Sequence, residues 1–193
     1  GTGKTTVANL MGSLYKSIGM LQKGHVHMVD RVDLVGEYIG QTAPKVKSAI
    51  AKARGGVLFI DEAYALARNN DDNKDFGKEV IEILVKEMGS PNCDFMVIAA
   101  GYPSEMEYFV NSNPGLKSRF KQVFEFKDYT LDELFKIIEK ACEKFEVYLT
   151  ESARRKIEEL ITSAFREKDE NFGNARFVFD LIEKGKVQMG LRL

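Results

Sequence analysis

Two adjacent carboxylates, Asp61 and Glu62, close the run Gly55-Gly56-Val57-Leu58-Phe59-Ile60. Four consecutive apolar residues between a glycine pair and an acidic pair predict a strand buried on both faces that stops at a polar edge. In an open α/β sheet that edge is where ligands bind, so Asp61 can hold a metal ion while Glu62 orients or deprotonates a water. The same pattern suits a plain structural strand followed by a helix-capping aspartate, so the chemistry needs a second motif. The amino terminus supplies one. Gly1-Thr2-Gly3-Lys4-Thr5-Thr6, followed by helical spacing through Val7, Leu10, Met11 and Leu14, is the second half of the phosphate-binding pattern G-x-x-x-x-G-K-[ST]. In such a loop the glycines let backbone amides curl around phosphates, and the helix amino terminus adds partial positive charge. Lys4 reaches the β and γ phosphates, and Thr5 ligates magnesium. The first half of the pattern and the strand that should feed it are absent from the 193 residues, so the expectation is a piece that begins inside its own active site.

The intervening elements must position these groups. The phosphate-loop helix is expected to run to about Ile18, with Gly19 as its stop. His25-Val26-His27-Met28-Val29 alternates as a strand with both histidines on one face; without a third ligand nearby they are strand surface rather than a metal site. In Leu34 to Pro44, Tyr38 and Ile39 lie between Gly36 and Gly40 with no amphipathic pattern to bury them, which by itself suits a turn that folds Tyr38 back on the domain. A helix from about Thr42 to Arg54 leads into the acidic strand. Asp71, Asn73, Asp75 and Glu82 have the spacing of a calcium-binding loop, but Phe76 stands where that loop needs glycine, so a solvated loop is expected. Lys78 to Met88 is a one-sided helix, and Phe95 to Ala100 a buried strand ending at Gly101-Tyr102-Pro103. Asn113-Pro114-Gly115 starts a short helix with Lys117 and Arg119 at its end, and Val123-Phe124-Glu125-Phe126 alternates as a further strand.

From Tyr129 the period becomes purely helical. One stripe runs through Leu131, Leu134, Ile138, Ala141 and Phe145, a second through Ile157, Leu160, Ile161, Ala164 and Phe165, and a third carries Val178, Phe179, Ile182 and Met189 inward. The predicted fold is therefore an α/β parallel sheet flanked by helices over 1–128 and a small all-helical domain over 129–193. With 44% hydrophobic residues the chain can pack a core. Its 28 basic and 29 acidic side chains leave a net charge of -1, which supports neither a nucleic-acid nor a membrane-surface partner. No apolar run approaches a membrane span, and two distant cysteines, Cys93 and Cys142, are expected as thiols in a cytoplasmic compartment.

Taken together in order, several segments resemble one family. They are Gly1 to Thr5, Glu37-Tyr38-Ile39-Gly40-Gln41-Thr42-Ala43-Pro44-Lys45, Gly56 to Tyr64, Ala100-Gly101-Tyr102-Pro103, Asn113 to Phe120 and Gly173-Asn174-Ala175-Arg176. The pattern is similar to AAA+ ATPases, in the branch of stage V sporulation protein K and the red-type Rubisco activases. The resemblance covers essentially the whole chain. It implies ATP as substrate and a nucleotide cradle of Gly1, Thr2, Gly3, Lys4, Thr5 and Thr6. It further implies Mg2+ on Thr5 and Asp61, and a water activated by Glu62. It also makes Arg119 an arginine finger for the neighbouring subunit's nucleotide, Arg176 a second sensor on the helical lid, and Tyr38-Ile39-Gly40 a central-pore loop in a homo-hexameric ring that remodels or threads a protein client. In that setting an exposed tyrosine needs no core, because it grips a polypeptide. One position departs from the pattern: where many AAA+ proteins place a water-orienting Asn or Thr, this chain has Gly101-Tyr102. The competing expectations are a nucleotide-dependent switch or scaffold that does no mechanical work, and a small-molecule kinase, which would have no use for a pore tyrosine.

Overall fold

The computed structural model describes residues 2–68, 76–169 and 172–190. The chain forms two compact units: Thr5–Glu125, and Gly1–Lys4 together with Phe126–Leu193. The calcium-like spacing at 71, 73 and 75 lies outside the described residues, as does Gly1.

The Thr5–Glu125 unit is built on a parallel sheet of three strands, β1 (Val26–Val29), β2 (Val57–Ile60) and β3 (Met96–Ala99), in the order β1-β2-β3. Val26 pairs with Val57 and Val57 with Met96, so the three carboxyl ends lie on one edge. All four residues of β2 are at most 1% exposed, as the unbroken apolar run predicted for a central strand covered on both faces. Helix α1 (Lys4–Ser17) stops where expected: Met20 N–H donates back to the Tyr15 carbonyl at 2.8 Å around Gly19, whose φ of 79° a glycine adopts without strain. The short α2 (Arg31–Leu34) is set by a capping box between Asp30 and Asp33. Helices α3 (Thr42–Ala53) and α4 (Phe76–Met88) bury Val46, Ile50, Val80, Ile81 and Leu84 in the main core. After β3 come α5 (Pro103–Asn111), with proline in its first turn, and α6 (Pro114–Arg119), capped by the Asn113 side chain on Gly115 N–H at 2.7 Å.

The second unit holds α7 (Leu131–Phe145), α8 (Glu151–Arg166) and α9 (Ala175–Gly190) around Leu134, Ile138, Ala141, Ile161, Val178 and Ile182. Thr130 and Glu133 form a capping box at the start of α7, and its hydrogen bonds hold the Glu133 carboxyl below the usual glutamate range.

Three expectations are corrected. Val123 to Phe126 is not a strand: Val123 and Phe124 are 86% and 61% exposed, and alternation alone makes no strand without a hydrogen-bonding neighbour. Leu160 and Met189 point to solvent, at 42% and 54% exposure, because the core faces of α8 and α9 are narrower than the apolar stripes drawn on them. On α1 the buried positions are Ala8 and Gly12, while Leu10 and Leu14 are exposed.

That last reversal has a packing cause. A methyl group added at Gly12 would meet the carbonyl oxygen of Gly24, whereas one added at Gly185 on α9 meets nothing within 4 Å. The two substitutions are therefore expected to have opposite signs. Gly12→Ala should cost about 1–3 kcal/mol by overpacking against backbone, and Gly185→Ala should stabilise by up to about 1 kcal/mol through helix propensity. Urea unfolding of the two variants beside the parent checks this, and equal signs would contradict the packing described.

Candidate nucleotide site at the strand ends

The strand-end edge is held by backbone pairing. Asp61 N–H donates to the Val29 carbonyl at 2.9 Å, and Ala63 N–H donates to the Ala100 carbonyl at 3.0 Å, so β2 stays bonded to both neighbours through the turn that carries the acids. Glu62 itself adopts a left-handed conformation, φ 48° and ψ 43°, at the entry of a 3₁₀ turn, Ala63–Leu66. A non-glycine residue there carries strain of about 1–3 kcal/mol, tolerated where the surroundings fix the backbone and enriched at functional sites. The consequence is directional: the side chains of Asp61 and Glu62 are both exposed at the carboxyl edge of the sheet, the edge where open α/β sheets bind ligands, while the backbone on either side is hydrogen-bonded. Asp61 Oδ1 accepts from Glu62 N–H at 3.1 Å, and the rest of its carboxylate faces solvent.

Behind Glu62 lies an aromatic wall. The Tyr64 ring is 6.3 Å from the Tyr102 ring, and the Arg68 guanidinium sits 4.8 Å over Tyr64 while pairing with Glu105 at 3.1 Å. Burial first, and then the charge of Glu62, pushes the Tyr64 hydroxyl above the usual tyrosine range. The same ring explains Gly101, since a Cβ there would stand 2.6 Å from Tyr64 Cδ1 and 2.7 Å from Met106 Sδ. A branched polar residue of the Asn or Thr kind does not fit. Tyr102 is 53% exposed at the amino-terminal cap of α5.

The amino-terminal loop leads through Gly3 directly into α1. Gly3 has φ 90°, a conformation open to glycine, and Lys4 opens α1, whose first turn carries no acidic residue, as suits an anion at a helix amino terminus. Thr5 follows within the helix, where its carbonyl accepts from the Asn9 side chain at 3.0 Å, and Thr6 is exposed.

The loop before α3 is a fastened structure that presents apolar side chains outward. Tyr38 and Ile39 are 69% and 74% exposed. Gln41 N–H donates to the Tyr38 carbonyl at 3.2 Å across a turn with Gly40 at φ 85°, and the Gln41 side chain accepts from Tyr38 N–H at 3.3 Å. Beneath it the buried Thr42 hydroxyl accepts from Gly36 N–H at 3.1 Å, and the Lys45 ammonium donates to the carbonyls of Val32 and Val35 at 3.0 and 2.9 Å. Thr42 and Lys45, read from sequence only as the start of a helix, are thus what holds the turn. Tyr38 does not fold back on the domain.

Arg119 and Arg176 are both exposed and lie apart from the carboxylates in sequence. Arg119 hydrogen-bonds within its own helix, to the Gly115 carbonyl and the Ser118 hydroxyl, both at 3.2 Å, and its guanidinium lies against Gly89 at the end of α4, where a Cβ would collide with it. It makes no bond to Asp61 or Glu62. Arg176 stands in the first turn of α9, two residues after the buried Asn174. His25 Nε2 bonds the Lys52 carbonyl at 2.7 Å, and no cluster of three or more His, Cys, Asp or Glu that could hold a metal occurs among the described residues.

The chain matches two families of known proteins. Residues 1–128 match the ATPase family associated with various cellular activities (AAA), and residues 130–193 match the AAA lid domain. Stage V sporulation protein K of Bacillus subtilis (strain 168) is 45% identical over all of this chain and 60% of its own length. Protein CbbX of Cereibacter sphaeroides is 43% identical over all of this chain and 62% of its own. A CfxQ homolog of Galdieria sulphuraria is 44% identical over the same share, so the chain spans about three fifths of the relatives it matches. Among solved structures, a Thermotoga maritima RuvB P216G mutant superposes with a TM-score of 0.58 at 21% identity, over 98% of this chain and 53% of that one, which shows the shared fold. The chain belongs to the AAA family of ATPases, with an AAA domain followed by an AAA lid.

Proposed function

We propose that this chain is the ATP-hydrolysing part of a homo-hexameric ring that remodels or threads a protein client. The observation that carries the chemistry is the end of β2, where a fully buried strand delivers two exposed carboxylates on a backbone bonded to both neighbouring strands. In this reading Gly1, Thr2, Gly3, Lys4, Thr5 and Thr6 cradle the phosphates. Thr5 and Asp61 would hold Mg2+, which when bound neutralises charge on the β and γ oxygens. Glu62 accepts a proton from the attacking water, a role that its outward side chain on a locked backbone suits. Arg119 reaches out from α6 to a neighbouring copy's nucleotide, consistent with its exposure and with the short-range bonds that steady it, and Arg176 reads the nucleotide from the lid.

The mechanical part of the proposal rests on Tyr38 and Ile39. An exposed aromatic and an exposed isoleucine on a turn tied down by Thr42 and Lys45 form a stiff apolar grip, which a nucleotide switch without mechanical work would not require. No described helix is long and apolar enough to cross a membrane. Both cysteines are free thiols, which agrees with a cytoplasmic setting.

Three variants test the assignment in the full-length protein. Lys4→Ala is expected to abolish measurable ATP binding by calorimetry. Glu62→Gln should bind ATP and lose about 10²–10⁴ in kcat, the usual share of a positioned general base. Tight binding by the first or steady turnover by the second would sink the site as drawn. Tyr38→Ala should change stability by no more than about 0.5 kcal/mol, as exposed positions do, while removing client-stimulated turnover. A loss of several degrees in melting temperature, with basal turnover lost alongside, would show Tyr38 to be structural.

A further inference from the structure

We propose that Tyr129 is a positioning residue for the phosphate loop, and that Asn174 holds it in place. The inference rests on the nucleotide reading above. The Tyr129 hydroxyl donates to the Thr2 carbonyl at 3.3 Å, and the same oxygen lies 3.0 Å from where a Cβ on Gly3 would stand. A planar trans peptide points its C=O and its N–H to opposite sides. With the Thr2 carbonyl turned toward Tyr129, the Gly3 N–H is committed to the other side, free to meet a phosphate oxygen. Gly3 cannot make that choice alone, because at φ 90° it is in the region where a glycine peptide turns over at little cost.

Tyr129 is itself held. Its N–H donates to Asn174 Oδ1 at 3.0 Å, and Asn174 Nδ2 donates to Asp128 Oδ1 at 2.8 Å and to the Phe172 carbonyl at 3.2 Å. Asn174 is 3% exposed with φ 51°, a left-handed backbone that asparagine tolerates better than most side chains, and both ends of its amide are used. The second oxygen of Asp128 receives the Lys168 ammonium at 3.4 Å. Residues 128–129 and 172–174 are thereby clasped, and the clasp ends two residues before Arg176. Packing does not require the hydroxyl, since the Tyr129 ring lies half-buried against the helical core, where phenylalanine would serve equally well.

The tests are Tyr129→Phe, Asn174→Gly and the double variant, made in the full chain with ADP as the probe. Glycine keeps the left-handed backbone at 174 while deleting the clasp. The hydroxyl bond is long for its type, so Tyr129→Phe should raise the ADP Kd only about 2- to 5-fold. Its melting temperature should stay at the parent's. In nucleotide-free protein the Gly3 amide resonance should shift as the peptide loses its fixed orientation. Asn174→Gly should also weaken ADP binding, and adding Tyr129→Phe to it should cost less than in the parent, because the two act through one contact. Parental affinity in Tyr129→Phe, an unmoved Gly3 resonance, or additive losses in the double variant would each overturn the proposal. If the parent itself bound no ADP, the nucleotide reading would fall, and the Gly3 resonance alone would still decide whether Tyr129 sets the loop.

Discussion

The pairing of β2 on both sides is the constraint on which the rest depends. A strand at most 1% exposed cannot leave amides or carbonyls unpaired, so Val57 to Ile60 stay in register with β1 and β3, and the pairing continues past the strand through Asp61 and Ala63. Because it continues, Glu62 can be kept in a left-handed conformation that would relax in a loose loop. Two charged side chains consequently stand at the carboxyl edge of the sheet without any charge entering the core. The same edge explains why glycine is found at 101: the Tyr64 ring that backs Glu62 occupies the space that a side chain there would need.

Away from the sheet, a second device recurs. Buried or half-buried polar side chains tie irregular backbone to helices, and in doing so they aim exposed groups. Thr42 and Lys45 fasten the 35–41 turn and leave Tyr38 and Ile39 outside. Asn113 caps α6, at whose far end Arg119 is exposed. Asn174 fastens residues 128–129 to the start of α9, which bears Arg176. Each arrangement trades conformational freedom for direction, which suits the roles proposed for these groups.

What could be read from the sequence followed from how local the governing interaction is. The apolar run of β2, the glycine stop of α1, the proline and asparagine at the start of α6 and the helical period beyond Tyr129 are set by neighbours in sequence, and the structure shows each of them. Val123 to Phe126 has the local pattern of a strand, but a strand is made by a partner, and alternation says nothing about one. Leu10 and Leu14 mark an apolar helix face, yet the face that packs is that of Ala8 and Gly12, chosen by the close approach of Gly24. The clasp between Tyr129 and Asn174 spans 45 residues, and only the asparagine beside a helix start hinted at it. The roles proposed for Lys4, Asp61 and Glu62 follow from motif spacing, and those proposed for Arg119 and Arg176 from family resemblance alone, since neither arginine stands in a local pattern of its own.

The central claim is that the site at the end of β2 is completed by a second copy of the chain. Its most direct measurement is ATP turnover by mixtures of two full-length variants, Arg119→Ala and Glu62→Gln, at fixed total protein. Each alone should fall by about 10²- to 10⁵-fold, from loss of an arginine finger or of the base. Mixed rings contain interfaces in which an intact Glu62 faces an intact Arg119, so turnover should rise above both single variants and peak near equal proportions. Parental turnover by Arg119→Ala alone, or mixtures that never exceed the sum of their parts, would contradict the account.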